Sequence, residues 1–337
     1  MQVDLRSDTV TRPTADMRRA MAAADVGDDE YGEDPTVRLL QERFAELTGK
    51  QEAMFVPSGT MANQVALRCL TRPGDAVVTG RHQHVLLYEE GAGPINSGIS
   101  FLPVADPLGT LEPSEVQQVI ASGAHHQPAV RLITVEDTHM AAGGRVWPMD
   151  QIDSLARLAR SEGVPIHLDG ARLWNASVAS GVTPAARAAH ATTVMACLSK
   201  GLGAPVGSLL AGPTELMDEA RLARKRFGGT MRQSGVIAAA GLVALGRIDR
   251  LAEDHDKARR LALAVAERWP ESGLDPASVE TNIVIFSYPD PAGLLRHLAD
   301  GGLAAGTVGP GRVRLVTHAD VDTAGIDLAC ALIAKAP

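Results

Sequence analysis

The sequence contains few cysteines, no excess of basic residues and no long apolar run. Of its 337 residues only three are cysteines, Cys69, Cys197 and Cys330, and they lie far apart without the spacing of metal ligands. We interpret them as buried, reduced thiols, because free cysteine is among the most buried residue types. No metal site is therefore expected.

Charge and hydropathy exclude two further classes of protein. The 32 basic and 40 acidic residues give a net charge of −8, and no dense stripe of lysine and arginine is present to bind nucleic acid or an anionic membrane. The longest weakly polar run, residues 235–245, is too short to span a bilayer and predicts a buried helix. The N-terminal segment carries Asp4, Arg6 and Asp8 where a secretory peptide would be apolar, so we expect a cytoplasmic protein.

From residue 34 onward, helical periodicity alternates with short apolar runs. Asp34 can cap a helix that continues to Gly49, with apolar residues at helical spacing between them. The runs EAMFVPSG, DAVVTG, RLITVEDTH, VPIHLDGA and TVMACLSKG each end in glycine or polar residues. This pattern is typical of strands buried on both faces of a largely parallel sheet. The sequence therefore predicts an α/β fold.

Four polar residues lie at the carboxyl ends of these predicted strands: Ser58, Glu136, Asp169 and Lys200. Ligands of parallel sheets bind at that edge. A lysine that can form a Schiff base and an aspartate beside a pyridine nitrogen are the two contacts that pyridoxal 5'-phosphate requires. The sequence thus predicts a pyridoxal-phosphate site around Lys200 and Asp169.

Other candidate residues have ordinary alternatives. Ser58, Gly59 and Thr60 stand between a strand and a helix and could bind a phosphate, although such turns are also common without a ligand. His84 could stack on a heteroaromatic ring or lie at the surface. His125 and His126 form a second pair, of which one could act as a base, but two exposed loop histidines would be the simpler explanation.

Basic residues in the C-terminal half are further candidates for binding a phosphate or a carboxylate. Arg314 alternates with apolar residues on a predicted strand and could bind a substrate carboxylate, and Arg312 shares its face. The basic run Arg224–Arg226 precedes a glycine-rich turn with Arg232. A solvated helix face and a phosphate or carboxylate site are both compatible with that pattern.

The length suggests about two domains. After a long amphipathic helix from about residue 248 to 269, the remaining segments alternate between strand and helix. We therefore predict an N-terminal arm over residues 1–19 that reaches the active site, a large cofactor-binding domain over 20–247 and a small α+β domain over 248–337.

Seven motifs in order resemble one known family, the low-specificity L-threonine aldolases. They are SDTVTRPT, VGDDEYGEDPT, PSGTMANQ, HLDGARLWNA, LSKGLGAPVGS, KRFGGTMRQSG and VRLVTHADV, and they cover nearly the whole chain. The resemblance implies an aminotransferase-like fold of type I, with a mainly parallel seven-stranded sheet, and cleavage of threonine or allo-threonine to glycine and acetaldehyde. It also implies a homotetramer built from dimers with shared active sites.

The resemblance implies a role for each matching residue. Lys200 would bind the cofactor, Asp169 its pyridine nitrogen and Arg172 its phenolic oxygen, while Ser58, Gly59 and Thr60 would hold the phosphate and His84 would stack on the ring. Lys225 and Arg232 would approach from a subunit boundary, Arg232 toward the cofactor. The residues implied around the substrate are Ser7, Tyr31, Tyr88, His126, Lys225 and Arg314.

Two departures from the family pattern bear on specificity. Asp137 replaces an asparagine, which would place a carboxyl group near the site, and Thr230 replaces a glycine, which restricts the backbone there. Either His126, which we favour, or His84 could remove the proton from the substrate hydroxyl. A beta-eliminating lyase of the same fold and a catalytically silent cofactor-binding module remain alternative functions.

Overall fold

The computed structural model describes residues 3–122 and 126–337. Its strands are β1 (Val3–Asp4), β2 (Glu52–Val56), β3 (Ala76–Gly80), β4 (Ser100–Val104), β5 (Val130–Glu136), β6 (Ile166–Asp169), β7 (Thr193–Cys197), β8 (Ser208–Gly212), β9 (Ile283–Ser287), β10 (Leu303–Ala304), β11 (Gly306–Thr307) and β12 (Arg312–Val316).

The helices are α1 (Ala15–Ala22), α2 (Pro35–Thr48), α3 (Gly59–Leu70), α4 (His84–Leu87), α5 (Ala92–Ser97), α6 (Pro113–Ser122), α7 (Met149–Glu162), α8 (Leu173–Ser180), α9 (Pro184–Ala188), α10 (Thr214–Arg226), α11 (Gly235–Leu245), α12 (Leu251–Arg268), α13 (Pro291–Asp300) and α14 (Thr323–Lys335). None of the helices within the described ranges is both long enough and apolar enough to cross a membrane.

The main sheet has seven strands in the order β2-β8-β7-β6-β5-β3-β4. Strand β8 runs antiparallel to both of its neighbours, whereas the pairs from β7 to β4 are parallel. The predicted α/β fold with a mainly parallel seven-stranded sheet is confirmed. Parallel strands direct their carboxyl ends to one edge, so the ends of β5, β6 and β7 lie side by side there.

Helix α2 shows how local sequence determines an element that packs on this sheet. The Asp34 side chain accepts a hydrogen bond from the backbone N–H of Val37, and Gly49 ends the helix in the left-handed conformation. Leu40 and Phe44 are fully buried on its inner face. The predicted cap, apolar face and stop are therefore confirmed.

A second apolar core lies in the C-terminal part. Strands β11, β12 and β9 form an antiparallel sheet, and β1 pairs in parallel with β10, so Val3 and Leu5 belong to this core. Along α12, Leu251 packs in the core of the main sheet and Ala258 in the second core. The division into residues 1–19, 20–247 and 248–337 stays a prediction, and α12 spans both cores.

Candidate active site

A cavity of about 260 Å³ opens at the carboxyl ends of the central strands. It brings together most of the predicted cofactor residues, although they come from distant parts of the sequence. A wider groove of about 1100 Å³ lies at the amino ends of the strands and contains none of the residues to which the resemblance assigns a cofactor or substrate role. Chemistry rather than volume therefore identifies the candidate site. The predicted residues that line the smaller cavity are Ser58, Gly59, Thr60, His84, Asp169, Arg172 and Lys200.

Lys200 stands in a tight turn between the antiparallel strands β7 and β8. The N–H of Gly203 donates to the Lys200 carbonyl at 2.9 Å, and the Thr11 hydroxyl donates to the same carbonyl at 3.0 Å. Gly207 has a φ of 115°, and a side chain there would collide with the ring of Phe55. The turn therefore requires glycine, and the backbone of the lysine is held by the N-terminal segment.

Asp169 ends β6 and is 3% exposed. Its Oδ1 accepts from the Ala171 N–H at 3.0 Å, and its Oδ2 accepts from the Asn63 Nδ2 at 2.7 Å. The Asn63 Oδ1 lies 3.0 Å from the His167 Nε2. Burial lowers the pKa of His167 to about 4, so its ring is neutral at pH 7 and donates this hydrogen bond from Nε2. The amide of Asn63 is thereby oriented with its N–H groups toward the carboxylate.

Ser58 caps α3, and its Oγ accepts from the Met61 N–H at 3.1 Å. The first N–H groups of a helix have no partner within the helix and attract anions. At Gly59 a Cβ atom would lie 2.8 Å from the Sγ of Cys197, so only glycine fits. Close by, the buried Oγ of Ser208 has no hydrogen-bond partner among the described residues. This end of the cavity is suited to a phosphate.

Arg172 is oriented by Asp8, a residue that the sequence analysis did not assign to the site. The Arg172 Nε and Nη2 donate to the two Asp8 carboxylate oxygens at 2.8 and 2.7 Å, and the Asn282 Nδ2 donates to Oδ2 at 3.1 Å. Burial alone would raise the pKa of Asp8, but the charge of Arg172 outweighs it and lowers the pKa to about 2. A charged pair therefore underlies this wall of the cavity.

His84 is the first residue of α4, which follows β3, and its side chain lines the cavity. Its backbone N–H donates to the Glu136 Oε2 at 2.6 Å, and its Nδ1 lies 3.1 Å from the Oε1 of Glu89. Burial alone would lower the pKa of His84, but the hydrogen bond to Glu89 and the nearby carboxylates of Asp169 and Glu136 outweigh it, so the pKa is raised. The Tyr88 ring centroid lies 5.6 Å from that of His84.

The structure shows which of the two candidate arginines, Arg312 or Arg314, lies near the cavity. The Arg312 Nη2 donates to the Ala141 carbonyl at 3.1 Å, beside a different cavity. Arg314 lies close enough to Arg172 and Asp8 for their charges to act on it, and its buried Nε has no hydrogen-bond partner in residues 3–122 and 126–337. Arg314 is therefore the arginine with unused donor capacity beside the site.

Several predicted residues do not line the cavity of their own chain. Ser7 lies beside the buried Asp8, and its Oγ accepts from the Thr9 hydroxyl at 2.8 Å. His126 precedes β5 and so lies at the amino edge of the sheet, opposite the cavity. His125 is outside the described residues. Three more are surface residues, since Tyr31 is 77% exposed and Lys225 and Arg232 both pair with Glu30. Tyr88 and Arg314 lie near the cavity but do not line it.

Asp137 stands between two residues that line the cavity, Glu136 and Thr138, but its carboxyl group does not line the cavity itself. Its side chain is fully buried and points away from the cavity toward Arg187, whose Nε donates to Oδ2 at 2.8 Å, and its Oδ1 accepts from the Trp147 N–H. Thr230 adopts no positive φ, whereas the neighbouring Gly228 does. The backbone at residue 230 therefore does not require glycine.

Replacing Arg187 by methionine should destabilise the protein by about 3–5 kcal/mol, because it leaves the buried Asp137 carboxylate without its cation. The exposed pair of Arg43 and Glu46 provides the matched control, and Arg43→Met should cost less than about 1 kcal/mol. Urea unfolding of the two variants at pH 7 measures both. Equal shifts in the unfolding midpoint would contradict a structural role for the buried pair.

The fold and the cavity together define a class. A mainly parallel seven-stranded sheet with a lysine, a buried aspartate and an anion-binding helix start at its carboxyl edge is the arrangement of aminotransferase-like enzymes of fold type I.

Comparison with known proteins identifies the family. The model of the beta-eliminating lyase family matches residues 4–288. The chain is 42% identical to a probable low-specificity L-threonine aldolase 2 of Arabidopsis thaliana, over 95% of this chain and 94% of that protein. It is 44% identical to an uncharacterized Caenorhabditis elegans protein, R102.4, over 80% of this chain and 66% of that protein. The chain therefore belongs to the beta-eliminating lyase and threonine aldolase family.

A solved structure agrees on the fold. The threonine aldolase of Leishmania major superposes with a TM-score of 0.81, and the match covers 99% of each chain. The sequence identity of that match is 19%, so it supports the fold alone.

Proposed function

We propose that this protein is a pyridoxal-phosphate-dependent aldolase that cleaves L-threonine, L-allo-threonine and related β-hydroxy-α-amino acids to glycine and an aldehyde. The observation that carries the proposal is the convergence of Lys200, Asp169 and the start of α3 in one cavity. The names of the relatives at about 40% identity support the same reaction.

The cavity fits the cofactor. Thr138 lines it, and its buried Oγ1 has no partner in the described chain, as expected where a polar ligand belongs. Lys200 would hold the cofactor covalently, Asp169 its pyridine nitrogen and Arg172 its phenolic oxygen. The start of α3 would hold the phosphate, and His84 would lie on the ring. When bound, pyridoxal phosphate accepts the electrons released as the Cα–Cβ bond breaks.

The remaining residues orient the substrate and move one proton. Arg314, with Ser7 beside it, would bind the substrate carboxylate. Cleavage requires a base for the β-hydroxyl proton, and among the described residues His84 is the histidine that lines the cavity. The family resemblance favours His126, but this residue lies at the opposite edge of the sheet, so it would have to act from another subunit. We therefore propose His84 as the base and retain His126 as the alternative.

We further propose a cytoplasmic homotetramer built from dimers that share their active sites. Arg232 is 59% exposed, and its turn packs through Gly229 on Met61 in the first turn of α3, beside the phosphate end of the cavity. A two-fold interface there would present Arg232 to the partner's cofactor.

Hybrid dimers test this arrangement. Lys200→Ala and Arg232→Ala should each be nearly inactive alone. If Arg232 acts across the interface, a hybrid dimer collects both changes in one site and leaves the other intact, so random reassortment should recover about a quarter of the wild-type activity. Acetaldehyde production after subunit exchange measures this recovery. No recovery despite demonstrated exchange would place Arg232 in its own chain's site or in none.

Incubation of the purified protein with L-threonine and with L-allo-threonine tests the reaction itself. An aldolase releases acetaldehyde and glycine in equal amounts. A beta-eliminating lyase would instead release a keto acid and ammonia, and a silent binding module would release neither. Either of the last two results would overturn the proposed function.

A further inference from the structure

Glu89 is a buried carboxylate that the proposed reaction has not used. It lies just after α4, is 3% exposed and accepts three side-chain hydrogen bonds. The Gln64 Nε2 donates to its Oε2 at 2.6 Å, and the Asn63 Nδ2 donates to its Oε1 at 2.8 Å. The third partner is the Nδ1 of His84 at 3.1 Å. A buried carboxylate is costly without a positive partner, and His84 is the titratable cation that it contacts.

The contacts of His84 with its neighbours determine which of its ring nitrogens is available in the cavity. Glu89 engages Nδ1, Glu136 accepts from the backbone N–H, and the Tyr88 ring lies against the imidazole. Nε2, the second ring nitrogen, makes no hydrogen bond within the described residues, so it is the nitrogen available to a substrate. A carboxylate on Nδ1 leaves Nε2 free to accept a proton and stabilises the charged ring that results.

Glu89 is also coupled to the other end of the cofactor site. The Nδ2 of Asn63 donates to both Glu89 and Asp169, at 2.8 and 2.7 Å. Titratable atoms of His84, Glu89 and Asp169 all lie within 4.8 Å of one another. One amide therefore separates the carboxylate behind the proposed base from the carboxylate assigned to the pyridine nitrogen.

We propose that Glu89 is the positioning residue of the catalytic base: its carboxylate holds His84 by Nδ1 and sets the pH at which Nε2 can take the proton of the substrate hydroxyl. This inference rests on the proposed function, because it assigns the base of that reaction.

The direction of the expected change follows from the charges around His84. Glu89, Asp169 and Glu136 favour its protonated form, whereas burial and Lys200 oppose it. Removal of the Glu89 charge should therefore lower the pKa of His84. His84 accepts a proton only when neutral, so activity falls as the pH drops through this pKa. In Glu89→Gln that fall should move to lower pH by about one unit.

Glu89→Gln brings one difficulty, since its new amide N–H group would meet the Nε2 donor of Gln64. The double variant Gln64→Glu/Glu89→Gln restores an acceptor at that contact while it keeps the carboxylate off His84. It should fold as the wild type does and displace the acid side of the pH–activity profile in the same direction but by less, because the negative charge then lies one contact further from His84. Glu90→Gln removes a neighbouring exposed carboxylate and serves as the matched control, with an unchanged limb.

The experiment measures kcat/KM for L-threonine between pH 5.5 and 9 on the four holoenzymes. Nuclear magnetic resonance of imidazole-labelled histidine, with His84 assigned by a His84→Asn variant, follows the ring directly. The inference is supported if two quantities move to lower pH in both Glu89 variants: the acid side of the kcat/KM profile and the His84 titration. The inference is overturned if an active Glu89 variant shows neither change. It is also overturned if the kcat/KM profile moves while the His84 titration stays the same. Absence of aldolase activity in the wild type would instead overturn the proposed function, and the His84 titration would still report whether Glu89 sets its charge.

Discussion

Lys200→Ala should reduce acetaldehyde formation to the level of a sample without enzyme, while the protein remains folded. The reason is chemical, since Lys200 is the only lysine that lines the described cavity and only a primary amine forms the Schiff base. The wild type should be yellow with bound pyridoxal phosphate, and the variant should lose the absorption of the lysine-bound form.

Three measurements decide this prediction: acetaldehyde release, the visible spectrum and the urea unfolding midpoint. Lys335→Ala, which removes an exposed lysine at the end of α14, is the control and should retain both colour and activity. An active Lys200→Ala enzyme, or a colourless wild type that does not respond to added cofactor, would refute the assignment.

The second large effect is expected at Asp169. Asp169→Ala should lower kcat by roughly a hundredfold or more, because the pyridine nitrogen then loses its proton and the ring withdraws electrons less well. Asp169→Glu keeps the negative charge and should lose far less. The alanine variant also deprives the Asn63 amide of one acceptor.

Steady-state assays at saturating cofactor compare the two Asp169 variants, and Asp153→Ala controls for the loss of a carboxylate at a partly exposed position. Similar kcat values for Asp169→Ala and the wild type would place the pyridine contact elsewhere.

The parts of this fold that sequence predicts best are those determined by neighbouring residues. The sequence predicts five of the seven strands because each is an apolar run that ends in glycine or polar residues, and it predicts α2 because the cap, apolar face and stop lie within 16 residues, Asp34 to Gly49. Strand β4 was not identified, since it contains Pro103 and has an exposed edge pattern. The sequence pattern does not single out strand β8 either, because its short apolar run follows the glycine-rich segment after Lys200.

Contacts between distant segments account for what the sequence could not show about the site. Asp8 and Arg172 are 164 positions apart, and Asn63 and Asp169 are 106 apart, so no local pattern joins them. One sequence signal points to this network, since Asn63 and Gln64 stand between apolar residues of α3, and both are buried. Buried polar side chains require partners, which points to a network without naming its members.

The sequence could not show that His126 lies away from the cavity of its own chain. A motif match assigns a role to a residue but does not state in which subunit it acts. The topology places His126 at the amino edge of the sheet, so a role for it depends on an interface that one chain does not contain.

The pairing of β1 with β10 determines when the cofactor site can be completed during synthesis of the chain. Val3 lies opposite Leu303, and Asp8, a few residues after β1, holds the Arg172 side chain in the cavity. The ribosome must therefore synthesise the chain as far as residue 304 before the first strand finds its partner. Until then the arm has no sheet to join and Arg172 lacks its counterion, although every residue of the cofactor cavity has already been made. Contacts of such long sequence separation form late and slowly. The nascent chain is thus kept from completing its cofactor site until β1 and β10 meet.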